Sequence, residues 1–252
     1  MLLAKRSSLR DETGYYCRER VKRIAIVQSN YIPWKGYFDL INAVDEFILY
    51  DDMQFTRRDW RNRNRVKTPR GLEWLTIPVA VKGRYLQKIC DTQVSDPGWG
   101  ATHWATLAHN YGKAPYFDEY RPLFEPLYAD RAETRLSTVN YRFISAICGI
   151  LGISTRISWS MDYGPLAETH ATQRLAELCR RAGGTHYLSG PGARDYIEPQ
   201  VFETAGISLD YFDYAGYPEY AQRFGGFEHA VTVLDLLFNA GPQAPRYMKT
   251  FA

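Results

Sequence analysis

Residues 23–52 read RIAIVQSNYIPWKGYFDLINAVDEFILYDD, and this stretch decides the fold. Arg23 to Val27 is a short, β-branched apolar run, the pattern of a buried strand. Gln28 to Gly36 is polar, with Pro33 and Gly36 as breakers, and reads as a loop. From Tyr37 the apolar residues Phe38, Leu40, Ile41 and Val44 fall at helical spacing. Glu46 to Tyr50 is a second strand. Strand, loop, helix and strand in that order open a βαβ unit. Ligands of such sheets bind beyond the carboxyl ends of the strands. Both ends here carry polar side chains: Gln28, Ser29 and Asn30 after the first strand, Asp51 and Asp52 after the second.

Further along, strands are expected at 74–81, 155–161, 186–190 and 208–214. Helices are expected at 98–111, 136–151, 169–182, 201–205 and 231–238. Prolines are expected to break 115–128 down to a short helix. The fold class is therefore α/β: a central, mainly parallel sheet with flanking helices, a Rossmann-like or nucleotidyltransferase-like opening, and helical elaborations. Residues 23–241 read as a single domain, preceded by a polar extension over 1–22 and followed by a tail over 242–252.

The chain has 252 residues, ample for a buried core. Its net charge of +3 comes from the N-terminal end, where residues 1–23, the extension and the first strand residue, hold seven cations against three carboxylates. The remainder is near neutral, so the bulk charge argues against nucleic acid as a partner. Cys17, Cys90, Cys148 and Cys179 form no CxxC pair, and no disulfide framework or zinc ligand set is suggested. No apolar run reaches membrane-spanning length, and the first 20 residues lack a signal-peptide core. A reducing cytoplasm is the expected location.

Three constellations carry chemistry. The loop Gln28, Asn30, Tyr31 and Trp34 offers hydrogen bonds and ring walls. Asp51-Asp52 could hold a metal, orient an amine, act as a base, or simply cap the strand and pair with nearby arginines. Residues 56–70, TRRDWRNRNRVKTPR, hold seven cations in fifteen. If 60–66 is extended, Arg61, Arg63 and Arg65 share one face, and Trp60, Asn62, Asn64 and Val66 share the other. Such a ladder of guanidinium groups suits phosphate or carboxylate. A solvated edge strand or a structural ion network would produce the same pattern. Gln54, Arg57 and Arg58 flank it. His103 is a candidate acid–base, and Ser189 opens an SGPG turn whose backbone could face an anion. No metal site is expected, and no cofactor can be named.

These segments together resemble a known family. The strings IAIVQSNYIPWKGYFDLINAVDEFILYDDMQF, RRDWRNRNRV, EWLTIPV, NYGKAPYFDEY, THYLSGPGARDY and VTVLDLLFN, running from about Arg23 to Asn239, are similar to the WbqC-like protein family. The resemblance implies a bacterial protein of surface-polysaccharide or specialised-metabolite assembly. By the family's association with amino sugars it also implies acyl or aminoacyl transfer to an amine. Some members carry His in the loop after the first strand, where this chain has Asn30. A frequent Lys-His pair reads Thr102-His103 here. On this basis the expected substrate is an anionic small molecule or a carrier-bound one, with a carrier protein as a candidate partner. The expected catalytic residues are Asp51, Asp52 and His103. The alternatives are a nucleotide-dependent transferase or ligase, for which the HxGH motif is absent, and a non-catalytic binding protein.

Overall fold

The computed structural model describes residues 21–167 and 170–251. The reading of the N-terminal extension therefore lies almost wholly outside the described residues. Strands β1 (Arg23–Val27), β2 (Glu46–Leu49), β5 (Arg156–Trp159), β6 (His186–Ser189) and β7 (Ser208–Tyr211) form one sheet in the order β5-β2-β1-β6-β7. Every pair in it is parallel. Strands β3 (Arg63–Thr68) and β4 (Gly71–Thr76) form a separate antiparallel hairpin.

Parallel strands need covered faces, and the alternation along β1 and β2 supplies two. Ala25, Phe47 and Leu49 point into one apolar layer. It is packed by α1 (Lys35–Asn42), α2 (Trp99–Tyr111), α3 (Phe117–Ala129), α4 (Leu136–Leu151) and α7 (Val233–Ala240). Ile24, Ile26 and Ile48 point into the other layer, under α5 (Ala171–Arg181) and α6 (Pro199–Thr204). The architecture is a three-layer α/β, Rossmann-like sandwich.

Helix α3 is longer than the sequence reading, which had its prolines break it. Pro122 and Pro126 lie inside it, both exposed and one turn apart on the solvent side. The backbone bonds they remove free carbonyls that water can reach. Phe117, Tyr120, Phe124 and Tyr128 bury the opposite face and hold the helix together. Close approach to α2 depends on Gly100, where a Cβ would run into the Tyr128 carbonyl.

The five sheet strands run 3-2-1-4-5 when numbered among themselves. The chain moves one way from β1 to β2 and β5, then returns past β1 to β6 and β7. The direction reverses between β1 and β6, and this is where open α/β sheets leave a crevice at the strand ends.

Candidate functional site

The crevice is occupied by a cavity of about 450 Å³. Its floor is the end of β1, at Val27 and Gln28, and the end of β6, at Ser189 and Gly190. Tyr37, Tyr50, Tyr187, Tyr196 and Tyr214 supply ring walls, and Arg61 is the cation among its lining residues. A second cavity of about 280 Å³ lies alongside, lined by Asn30, Pro33, Trp34, Trp60, Asn64, His229 and Ala230. The two share a wall. Arg61 Nη1 donates to Asn30 Oδ1, and the Trp34 ring meets the Tyr214 ring edge-on at 5.2 Å.

Local sequence explains this placement. Ile32 has φ +35°, a conformation costly for a β-branched residue. Asn64 Nδ2 pins it by donating to the carbonyls of Tyr31 and Ile32 at 3.1 and 2.9 Å. Trp34 then folds its indole over Gly36, where a Cβ would collide with the ring. Lys35 is buried, donates to the Pro218 carbonyl at 2.9 Å and lies over the Tyr217 ring at 4.9 Å. Burial pushes its amine down to about 8. This anchor holds the segment after β7, which brings Tyr214 and His229 to the cavities. Backbone bonds from Thr232 to Arg65 and from Val233 to Pro33 secure the far end of that segment.

The acidic pair divides. Asp51 is fully buried and accepts from the Ser29 amide at 2.8 Å and from the Ser137 hydroxyl. Burial pushes its carboxyl above the usual range. Asp52 accepts from Ser160 at 2.5 Å and pairs with Arg174 at 2.9 Å, and Arg174 in turn donates to the Tyr50 hydroxyl at 3.0 Å. Neither carboxylate lines the two cavities, but Asp52 stands behind the Tyr50 wall.

His103 lies in the core between Tyr31 and Trp99. Its Nε2 meets the Thr76 carbonyl at 3.2 Å, and a carbonyl can only accept, so the neutral ring carries its proton there. Nδ1 accepts from the Tyr31 hydroxyl at 2.9 Å. Desolvation pushes the imidazole down to about 4. By sequence His103 is a candidate acid–base, although a lone helical His is more often structural, and here both nitrogens are committed to the packing.

The expected ladder is broken at its first rung. Arg61 precedes β3 and turns to Asn30 and to Asp59, 3.5 Å away. Arg63 and Arg65 do share the outer face of the hairpin. Arg63 lies over the Trp74 ring at 4.0 Å, and Arg65 is 5.7 Å from both Trp60 and Trp74. Trp60 joins this face, against the expectation that it sides with the asparagines, because the two-residue alternation begins only with β3. Asn62 and Asn64 point inward as expected and are buried. Arg57 donates to the Val81 carbonyl and Gln54 to the Tyr85 carbonyl, both near the surface. Arg58 is exposed with φ +58°.

Asn30, Asp52, Arg63 and His103 thus do not converge on one cavity. Gln28, Asn30, Trp34, Trp60, Asn64 and Ser189 do line the adjoining pair. The sequence predicts Arg61 as a rung of the ladder but not its place at the cavity, nor that of His229 and the cavity tyrosines. The tyrosines are scattered from Tyr37 to Tyr214, and their one signal is the high Tyr count of 19. His229 is a lone His in a loop, and nothing in the sequence marks it. Among the described residues, no group of three His, Cys, Asp or Glu is placed to hold a metal. Nor is any described helix long and apolar enough to cross a membrane.

Comparison with known proteins agrees with the motifs. An uncharacterized protein of Mycobacterium tuberculosis (strain ATCC 25618 / H37Rv), Rv1507c, is 54% identical over 229 residues, covering 91% of this chain and 98% of the relative. No solved structure matches. The family profile described as "WbqC-like protein family" matches residues 28–247, which spans both cavity walls, the hairpin and the segment that carries His229, and the chain therefore belongs to the WbqC-like protein family.

Proposed function

We propose that this protein is a cytoplasmic transferase of bacterial surface-polysaccharide or specialised-metabolite assembly. It moves an acyl or aminoacyl group from a phosphate-bearing donor, free or on a carrier protein, to an amine. The observation that carries this reading is the pair of cavities with one wall in common. Group transfer needs two ligands held with their reacting atoms about 3–3.5 Å apart. Adjoining chambers that meet at Asn30 and Arg61 provide for that once a ligand on Arg61 releases the Arg61–Asn30 contact.

The chemistry follows from the lining. The amine nitrogen attacks the donor's carbonyl carbon, the bond to the leaving group breaks, and the nitrogen sheds a proton. His229, the titratable side chain among those lining the tryptophan pocket, is suited to take it. Arg61 faces the negative charge that gathers on the donor side. No cysteine is among the residues lining either cavity, which favours direct transfer over a thioester on the protein. Asp52 acts indirectly, by holding Arg174 against Tyr50.

The test is product formation. Acyl thioesters of pantetheine and acyl phosphates, incubated with amino sugars, should yield an amide detected by mass spectrometry. Arg61→Gln and His229→Gln should each slow it roughly 100-fold or more. Absence of amide from every donor and acceptor pair would sink the proposal. The nucleotide-dependent alternative has one observation in its favour, the 3-2-1-4-5 strand order. It predicts turnover only with a nucleotide and Mg²⁺.

A further inference from the structure

We infer that the cavity between β1 and β6 is the seat of a nucleoside phosphate, with its phosphate on Arg61 and its base against the tyrosine walls. The inference rests on the reading of this cavity as the donor side, and it adds the chemical class of the donor.

Four observations carry it. The cavity lies where the strand order reverses, at the carboxyl ends of β1 and β6. Its volume of about 450 Å³ falls in the range of small-ligand pockets. Its lining is aromatic: Tyr50, Tyr196 and Tyr214 edge it, with Tyr187 behind them stacked on Phe202, and a planar base stacks on ring faces with little demand on sequence or edge. Arg61 is its cation, and no carboxylate is among the lining residues to repel an anion.

The state of Arg61 fits an anion receptor. Its side chain is mostly buried, at 14% exposure; it donates to the neutral Asn30 amide, pairs with Asp59 at 3.5 Å, and lies near enough to the buried Asp51 to act on that carboxyl. A phosphate would replace the neutral Asn30 carbonyl oxygen with a charged acceptor able to take two parallel guanidinium hydrogen bonds. Asn30 would then be released toward the second cavity, where it already forms part of the wall. Gly190 and Gly192 edge the cavity without side chains, so the backbone can approach a ligand closely.

Isothermal titration of the full chain with ADP and UDP tests this, beside pyrophosphate, adenosine and uridine as probes of the separate halves. A nucleoside diphosphate should bind at least about tenfold tighter than either half. Arg61→Gln should weaken it about tenfold or more, since a charged hydrogen bond is lost. Tyr196→Ala, at the rim where the residue is 57% exposed, should weaken it at least fivefold; it decides the matter if Arg61→Gln fails to fold. Failure of both nucleotides to bind would overturn the inference. So would pyrophosphate binding as tightly as ADP, or affinities that neither variant changes. Amide formation from a donor without a nucleotide, in a protein that binds none, would remove this inference and leave the transferase. Nucleotide binding without amide formation would do the reverse.

Discussion

Two rows of side chains leave the same short segments and meet opposite fates. Ser29 and Tyr31 of the loop after β1, and Asn62 and Asn64 at the hairpin, point inward and are buried. Gln28, Asn30 and Arg61 face the cavities, and Arg63 and Arg65 face outward over the indoles. The inner row is committed to fixing the loop. The Ser29 amide is on Asp51, the Tyr31 hydroxyl on His103, Asn62 on the Ile77 carbonyl and Asn64 on the loop itself. The outer row keeps capacity. Among the described residues, Asn30 Nδ2, the Arg65 guanidinium and the His229 ring make no hydrogen bond. Residue type does not separate building from binding here; burial does so in large part, because Asn62 and Asn64 spend their amide nitrogens on carbonyls of the fold, although Asn62 Oδ1 keeps no partner and Asn64 also edges the tryptophan pocket.

The strongest way to break this comparison is at Asp51. Asp51→Ala leaves the Ser29 amide and the Ser137 hydroxyl buried without their acceptor, at about 1–3 kcal/mol each. The expected loss is about 3–4 kcal/mol, a large part of a typical stability of about 5–15 kcal/mol. Urea unfolding measures it, with Asn30→Ala as the outer-row counterpart expected to cost less than about 1 kcal/mol. Equal midpoints for the two variants would erase the distinction between the rows.

Next comes the acid limb of stability. His103 titrates near its ordinary value of 6.5 when unfolded and only at about 4 when folded. Below 6.5 the unfolded chain takes up a proton that the folded chain refuses. Stability therefore falls as pH drops from about 6.5 to about 4, and this group adds no further loss below that. The difference corresponds to about 3 kcal/mol. His103→Gln removes the group, so the wild type should approach or fall below the variant across that window. Parallel curves between pH 7 and 4 would show that His103 charges freely, as a catalytic histidine open to solvent would.

How much of this was legible in the sequence follows from the same division. Strand–loop–helix–strand over 23–50 was readable because apolar spacing reports burial directly, and the parallel sheet followed from it. The inward pair Asn62 and Asn64 was readable because a strand alternates. Trp60 and Arg61 were misplaced because that alternation was extended three residues ahead of where β3 begins. Asp51 and Asp52 look alike in sequence. Only packing shows that one faces Ser137 on α4 and the other Arg174 on α5. His229 and Tyr214 reach the cavities through long-range contacts, the Lys35 anchor and the Val233–Pro33 bond, which leave no periodic trace.

A change in the covering of the loop should act on both rows at once. Gly36→Ala places a Cβ in the Trp34 ring. The indole must leave its seat against Tyr214 and Tyr217, or the helix start must shift. Overpacking of this kind costs about 1–3 kcal/mol. The displaced ring also opens the wall between the cavities, so ligand affinity should fall alongside the unfolding midpoint. Lost stability with unchanged affinity would mean that Trp34 serves the inner row alone.

The smallest expected effect sharpens the outer row most. Arg65 spans Trp60 and Trp74, with its charge 5.7 Å from each ring and no ion pair among the described residues. Both indoles are substantially exposed, at 38% and 44%. Arg65→Lys keeps the charge but replaces a flat guanidinium with a strongly hydrated ammonium that cannot lie along two rings. A surface cation–π contact is worth about 0.5–1 kcal/mol, so the unfolding free energy should drop by no more than that. Tryptophan emission should shift to the red as water reaches the indoles. If Arg65 instead belonged with the buried network, its replacement would cost as much as Asp51→Ala. A loss above about 2 kcal/mol would therefore move Arg65 to the inner row and take the hairpin arginines out of any binding role, because a guanidinium needed to hold the fold is not free to receive an anion.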